Sequence, residues 1–175
     1  MELIWHGTAS VEIRGAGGRV LFDPFVPPPG AENPVRIEEY DGFSDIFITH
    51  GHFDHISSLP GIVKRNPEVR IHGTRVVKNN LMRKGVPEGN LIEIGYGPLG
   101  ELGGIFFYAY HGKHAILPHA SWPRIRYLLS SPHRGNLPIL LREHLSCPEK
   151  GETVFYHLQA EGKSISLMGS LNLLE

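Results

Sequence analysis

His50-Gly51-His52-Phe53-Asp54-His55 packs four potential metal ligands into six residues. Side chains this close in sequence cannot disperse to unrelated parts of a fold. Imidazoles joined by a carboxylate are the donor set that zinc, iron and manganese accept. The preceding Asp45-Ile46-Phe47-Ile48-Thr49 is apolar and β-branched, and reads as a buried strand. The cluster therefore lies where a strand runs out into a loop, the usual place for chemistry held on a rigid scaffold. A solvated histidine run without an ion is the competing reading. Its position behind a core strand, deep inside the sequence, argues against it.

With 175 residues the chain is expected to form one domain with a substantial core. Apolar residues make up 41% and charged residues 20%, as in ordinary globular proteins. Seventeen basic against eighteen acidic residues leave a formal charge of −1, so nothing calls for nucleic acid or an anionic membrane. No apolar stretch approaches a membrane span, and Met1-Glu2-Leu3-Ile4-Trp5 lacks the basic start and long apolar region of a signal peptide. Cys147 is the single cysteine, which excludes an internal disulfide and fits a reducing cytoplasm. Preceding Pro148 in a polar turn, it reads as an incidental thiol rather than a nucleophile.

The remaining pattern mixes strands and helices. Short strands are expected at residues 2–5, 10–14 and 19–22, the last two joined by Gly15-Ala16-Gly17-Gly18. Pro27-Pro28-Pro29-Gly30 opens a loop that cannot lie inside a sheet. Helical spacing runs over 56–65 and stops before Asn66-Pro67. A strand at 69–72 precedes a helix over 74–84, with Thr74 as cap and Gly85 as stop. Further strands are expected at 91–94 and 105–110, and one helix through 125–129. Residues 153–159 and 164–168 alternate about Glu161-Gly162-Lys163 and read as a hairpin.

His111 is the next candidate ligand, because it leaves the end of the apolar strand Ile105-Phe106-Phe107-Tyr108-Ala109-Tyr110. A strand fixes its backbone, whereas the competing His114 and His119 hang on a loop. A solvated loop histidine is the bland alternative at each of these positions.

The spacing of His50, His52, Asp54 and His55 resembles the His-x-His-x-Asp-His signature of the metallo-β-lactamase superfamily. Trp5-His6-Gly7-Thr8-Ala9-Ser10-Val11, followed by Leu21-Phe22-Asp23-Pro24, is similar to the start of the branch that contains the ascorbate-phosphate lactonase. Met168-Gly169-Ser170 after the hairpin resembles the strand carrying that family's bridging aspartate. The resemblance implies an α+β four-layer αβ/βα sandwich in a single domain over 1–175, with the metals between two sheet edges. It implies His50, His52 and His111 as ligands of a first ion, Asp54 and His55 in a second site, and Asp23 as a carboxylate orienting the ligand loop. Three departures bear on this. Ser170 stands where the family carries Asp, Thr8 where the branch often has His, and the sequence reaches Glu175 before the strand expected to bring the last histidine. A C-terminally shortened sandwich and a mononuclear site are the resulting expectations, zinc being favoured over manganese or iron among one or two ions per chain.

The expected function is a metal-dependent hydrolase that uses metal-bound hydroxide on an ester, lactone or related small-molecule bond. Asp54 would orient or deprotonate the water, or else ligate the second ion. His114 and His119 are weaker candidates for contact with an anionic substrate group. Phosphodiesterase or nuclease chemistry on the same fold is an alternative, opposed by the near-neutral charge. A non-catalytic metal-binding protein is another, favoured by Ser170. The expected partner is a small-molecule substrate in the cytoplasm, with no nucleic acid and no membrane. An exposed sheet in a half-completed sandwich would favour a homo-oligomer.

Overall fold

The computed structural model describes residues 1–28, 35–112, 134–147 and 152–169. Two hairpin links start the chain, joining β1 (Glu2–Gly7), β2 (Ser10–Gly15) and β3 (Gly18–Phe22) in antiparallel register. Next come β4 (Asp45–Phe47), β5 (Arg70–Gly73) and β6 (Leu91–Glu93), each parallel to its predecessor. These six strands form one sheet in the order β1-β2-β3-β4-β5-β6. Parallel pairing needs crossovers. Between β4 and β5 these are α1 (Phe53–Ile56) and α2 (Leu59–Arg65), between β5 and β6 α3 (Arg75–Arg83), while the β3–β4 link carries the short 3₁₀ turn Ile37–Tyr40.

A second, antiparallel sheet has the order β10-β9-β8-β7. It comprises β7 (Gly97–Leu102), β8 (Ile105–Gly112), β9 (Thr153–Ala160) and β10 (Lys163–Met168). A further helix, α4 (Leu137–Leu145), precedes the last hairpin. Among the described residues no helix is long and apolar enough to cross a membrane.

Alternation divides the apolar residues between two cores. Leu21, Ile46, Ile48 and Ile71 face α1–α3, where Ile56, Leu59, Ile62, Val77 and Leu81 meet them. Ile13, Val20, Phe22 and Phe47 face the second sheet and pack on Ile105, Phe107, Val154, Tyr156 and Leu158. Phe47 stacks on Phe107 with ring centroids 4.6 Å apart. Helix, sheet and sheet thus form three layers of the expected sandwich. Over the outer face of the second sheet, Phe106, Tyr108, Tyr110 and Met168 are exposed.

The two ends of the sandwich differ. At one end the β2–β3 turn abuts the β7–β8 turn backbone to backbone. A Cβ on Gly17 would lie 2.8 Å from the Gly103 carbonyl oxygen, and one on Gly103 would lie 2.9 Å from that of Gly17. Met1's ammonium and Glu161 pair at the same end, where Glu161 also accepts from Ala16 N–H. At the other end the strands β3, β4 and β8 deliver Asp23, His50 and His111 toward the start of β9.

Several expectations need correction. The segment 56–65 is not one helix, because Pro60 lacks the N–H that residue 56 would bond and its ring would clash there. Helix α1 stops at Ile56, and α2 restarts with Pro60 in its first turn, where proline is tolerated. Strand β7 has no alternating signal. Gly97, Pro98 and Gly100 are accommodated because it is an edge strand with an irregular register between Pro98 and Gly100. Helix α4, with Pro138 in its first turn, was not anticipated, and the helix expected at 125–129 lies outside the described residues. Cys147 is buried in the helix-side core rather than lying in a polar turn, so it serves packing.

Buried Asp45, at the start of β4, accepts from Arg70 Nε at 2.8 Å and Nη2 at 2.5 Å, and from His72 Nε2 at 2.7 Å. Burial pushes its carboxyl up, but the hydrogen bonds and charges of Arg70 and His72 outweigh this and hold it below its ordinary value. A depressed carboxylate stabilises fully above its unfolded-state value of about 3.9, and that stability is lost as pH falls through the folded value. Asp45→Asn is therefore expected to lower stability by about 1–3 kcal/mol at neutral pH. Denaturant midpoints should converge with those of the unmodified protein below about pH 4. A difference that persists undiminished into that range contradicts the assignment.

Candidate metal centre

The cluster is built by the exit of β4. Thr49 and His50 continue the strand: Val154 N–H donates to the Thr49 carbonyl at 2.7 Å, and His50 bridges Thr153 of β9. His52 then caps α1, its carbonyl accepting from the N–H groups of His55 and Ile56. Successive residues in a helical turn point about 100° apart. Hence His55 turns inward and is 4% exposed, while the Asp54 side chain stays 35% exposed at the surface. The His50 ring lies 4.6 Å from that of His52 and 4.0 Å from that of His55, centroid to centroid. Asp54 Oδ2 is 3.7 Å from His55 Nε2.

Asp23 fixes this arrangement from beneath. Buried at the end of β3 with a positive φ of 45°, its carboxylate accepts from Thr49 N–H at 2.8 Å and from the Thr49 hydroxyl at 2.6 Å. Its Oδ2 also lies 2.9 Å from His55 Nδ1. These bonds set tautomers. The Thr49 proton is committed to Asp23, so in its 3.0 Å contact with His50 Nδ1 the hydroxyl is the acceptor. His50 and His55 thus carry their protons on Nδ1, which makes Nε2 the unprotonated ring nitrogen of each neutral imidazole. Burial pushes the His55 pKa down, but the charge and hydrogen bond of Asp23, with the charge of Asp54, hold it above its ordinary value.

Other elements brace the loop. Buried Asn80 of α3 donates to the Gly51 carbonyl at 3.2 Å, and the Tyr156 hydroxyl donates to the Ile48 carbonyl at 2.9 Å. Gly169, just past β10, sits so close to Thr49 that a Cβ there would meet its Oγ1 at 1.8 Å. None of Thr49, Asn80 or Gly169 was singled out from sequence. A mid-helix asparagine carries no local signal, and the Gly169 contact joins residues far apart in the chain.

His111 ends the face of β8 that carries Phe107 and Ala109, beyond the buried part of the inter-sheet core. Its register partner is Val154, next to the Thr153 that bridges His50. The side chain is exposed, and its ring packs against Tyr96 at 5.1 Å. The structure therefore brings His50, His52 and His55 into one cluster with Asp54 at its rim, and gives His111 a separate ring contact. Among the described residues, no three His, Cys, Asp or Glu side chains form a group ready to hold an ion. The donor chemistry nonetheless fits one: imidazoles whose neutral form is unprotonated at Nε2, a carboxylate alongside, and a buried Thr153 hydroxyl without a hydrogen-bond partner among the described residues. Ser170, His114 and His119 lie outside the described residues.

Two substitutions test the support beneath the cluster. In metal-stripped protein Asp23→Asn is expected to lower the His55 pKa, read from imidazole NMR shifts, since the carboxylate is what raises it. The His55–Asp23 pair should stabilise that metal-free form below about pH 6.5 and lose its effect as pH rises through the elevated His55 value. Gly169→Ala must displace Thr49 and should cost about 1–3 kcal/mol in denaturant unfolding. An unchanged midpoint would show that the Thr49 contact is not rigid.

A family model described as the metallo-beta-lactamase superfamily matches residues 3–120, from β1 through β8 and including the His50–His55 loop. A UPF0173 metal-dependent hydrolase from Metallosphaera sedula is 32% identical over 105 residues, covering 59% of this chain and 46% of its own length. One from Azorhizobium caulinodans is 43% identical over 68 residues, covering 37% and 27%. The chain thus matches less than half the length of these curated relatives. Among solved structures, a metallo hydrolase from Ignicoccus hospitalis superposes with a TM-score of 0.59 at 18% identity, covering 95% of this chain and 59% of the other. An isothiocyanate hydrolase from Delia radicum gut bacteria gives 0.62 at 15% identity, covering 99% and 64%. These similarities extend to the fold. A family match over more than half of the sequence, on the residues that build the histidine cluster, means that the chain belongs to the metallo-β-lactamase superfamily.

Proposed function

We propose that this chain carries the ligand loop of a metal-dependent hydrolase acting on an ester or lactone bond of a small, uncharged substrate. The observation that supports it is the His50–His52–His55 cluster with Nδ1 of His50 and of His55 turned to Thr49 and Asp23, which leaves Nε2 as the ring nitrogen suited to bind a metal. The names of its curated relatives, metal-dependent hydrolases, point the same way. His50, His52 and His111 would hold one divalent ion, with Asp54 and His55 available to a second. Zinc suits a mainly imidazole set best, ahead of manganese and iron. Such an ion would acidify water and polarise the carbonyl under attack.

The protein side chains divide the remaining work. Asp54 is the exposed carboxylate of the cluster and accepts the proton of an incoming water. Asp23 and Thr49 hold the imidazoles in their tautomers and exclude water from beneath them. Near-neutral charge favours small molecules over nucleic acid. Cys147 is the single cysteine of the sequence, which excludes an internal disulfide and fits a cytoplasmic setting.

Elemental analysis of the purified chain, with hydrolysis of generic esters and lactones, tests the proposal. Bound zinc, manganese or iron near one ion per chain is expected, falling sharply in His50→Ala and His52→Ala. Asp23→Asn should weaken metal affinity about 10- to 100-fold. Asp54→Asn should retain metal but lose about 10²- to 10⁴-fold in kcat. Absence of metal from the unmodified protein, even after incubation with these ions, would sink the reading.

A further inference from the structure

An apolar cavity of about 390 Å³ opens beside the histidine loop, walled by Phe25, Val26, Ile37, Phe53 and Ile139. Two of its walls are joined to the cluster through the chain, although no residue of the cluster lines it. Phe53 stands between His52 and Asp54, and Phe25 and Val26 follow Asp23 by two and three residues. Helical spacing puts Phe53, Ser57 and Gly61 along the lining, whereas His55 turns to the core.

The walls are held in advance. The Tyr40 hydroxyl bonds the N–H of Phe25 at 3.2 Å and its carbonyl at 3.1 Å, and Val26 N–H donates to Ser58 Oγ at 2.8 Å. Phe25 and Phe53 meet edge to face at 6.3 Å. That bond to Val26 already engages Ser58, which leaves Ser57 as the other hydroxyl of the lining. None of the described lining residues is charged. The volume falls in the range of small-molecule sites, about 300–1,000 Å³, which combine apolar walls with few polar groups.

We infer that this cavity receives an unbranched or aromatic apolar substituent of the hydrolysed substrate, so that the site selects hydrophobic, uncharged esters or lactones over anionic ones. This rests on the hydrolase reading for the bond that is cut, but the cavity's affinity for apolar groups is independent of turnover. An anionic group would be desolvated there with no cation among the described lining residues to meet it.

Two measurements on the full chain as purified separate the claims. Fluorescence of the neutral probe N-phenyl-1-naphthylamine should report binding, with competition by 2-decanone, which has no hydrolysable bond. Ile139→Glu, on a half-exposed side chain, should weaken probe binding at least about tenfold, because a bound apolar probe would desolvate the carboxylate. Ile37→Trp, which fills the cavity, should do the same. In parallel, kcat/KM for 4-nitrophenyl esters should rise about fourfold per methylene from acetate to hexanoate, and Ile139→Glu should flatten that rise.

Probe binding unaffected by either folded variant, or absent from the unmodified protein, overturns the inference. So does hydrolysis with a flat chain-length profile, or faster turnover of 4-nitrophenyl hydrogen succinate than of the uncharged butyrate ester; in both cases the hydrolase reading survives. Probe binding lost in the variants, with no ester turned over, supports the cavity assignment and removes the hydrolase reading instead.

Discussion

The carboxylate of Asp23 is the constraint on which the site depends. It receives a backbone N–H, a hydroxyl and an imidazole, the first two from Thr49 and the third from His55. A single side chain at the end of β3 thus holds the exit of β4 and sets which ring nitrogen of His50 and His55 carries the proton. Burying a carboxylate is unfavourable unless its lone pairs are met, and here three donors from the neighbouring loop meet them. Tyr156, wholly buried with its phenol pKa pushed well up by burial and by the charge of Asp23, keeps its proton and donates it to Ile48. Strand order in the first sheet, loop conformation and imidazole tautomer are therefore linked through one buried anion.

That linkage explains how much was legible. The His50–His55 spacing and the buried character of β4 are local properties, and they located the cluster. The role of Asp23 followed from the family resemblance and is visible as hydrogen bonds. The paired Nδ1 atoms are not legible, because they depend on Thr49 reaching across two strands. Strand β7 escaped notice since an edge strand interrupted by Gly97, Pro98 and Gly100 shows neither alternation nor β-branching. The break between α1 and α2 was written in Pro60 but masked by apolar spacing that continues through it. His111 was picked as a strand-end residue, and it is one. Its ring contact with Tyr96, in the link before β7, joins two segments that no periodicity connects.

The relatives and the structure carry different weight. Sequence similarity is concentrated in β1 through β8, where the first sheet and its loop are made, and the solved neighbours share the sandwich at identities below 20%. Conservation of an architecture at that distance speaks to layers and strand order. Chemistry belongs to the few side chains at one rim, which is why the proposed substrate preference rests on Phe25, Phe53 and Ile139 and not on the fold.

The main-chain abutment of Gly17 on Gly103 has a consequence for how such a scaffold diversifies. Where two turns already touch without side chains between them, an inserted residue or a bulkier one acts as a wedge, prising the layers apart along their whole length. At the opposite rim, where the histidine cluster lies, added length would fall on loops instead of on this seam.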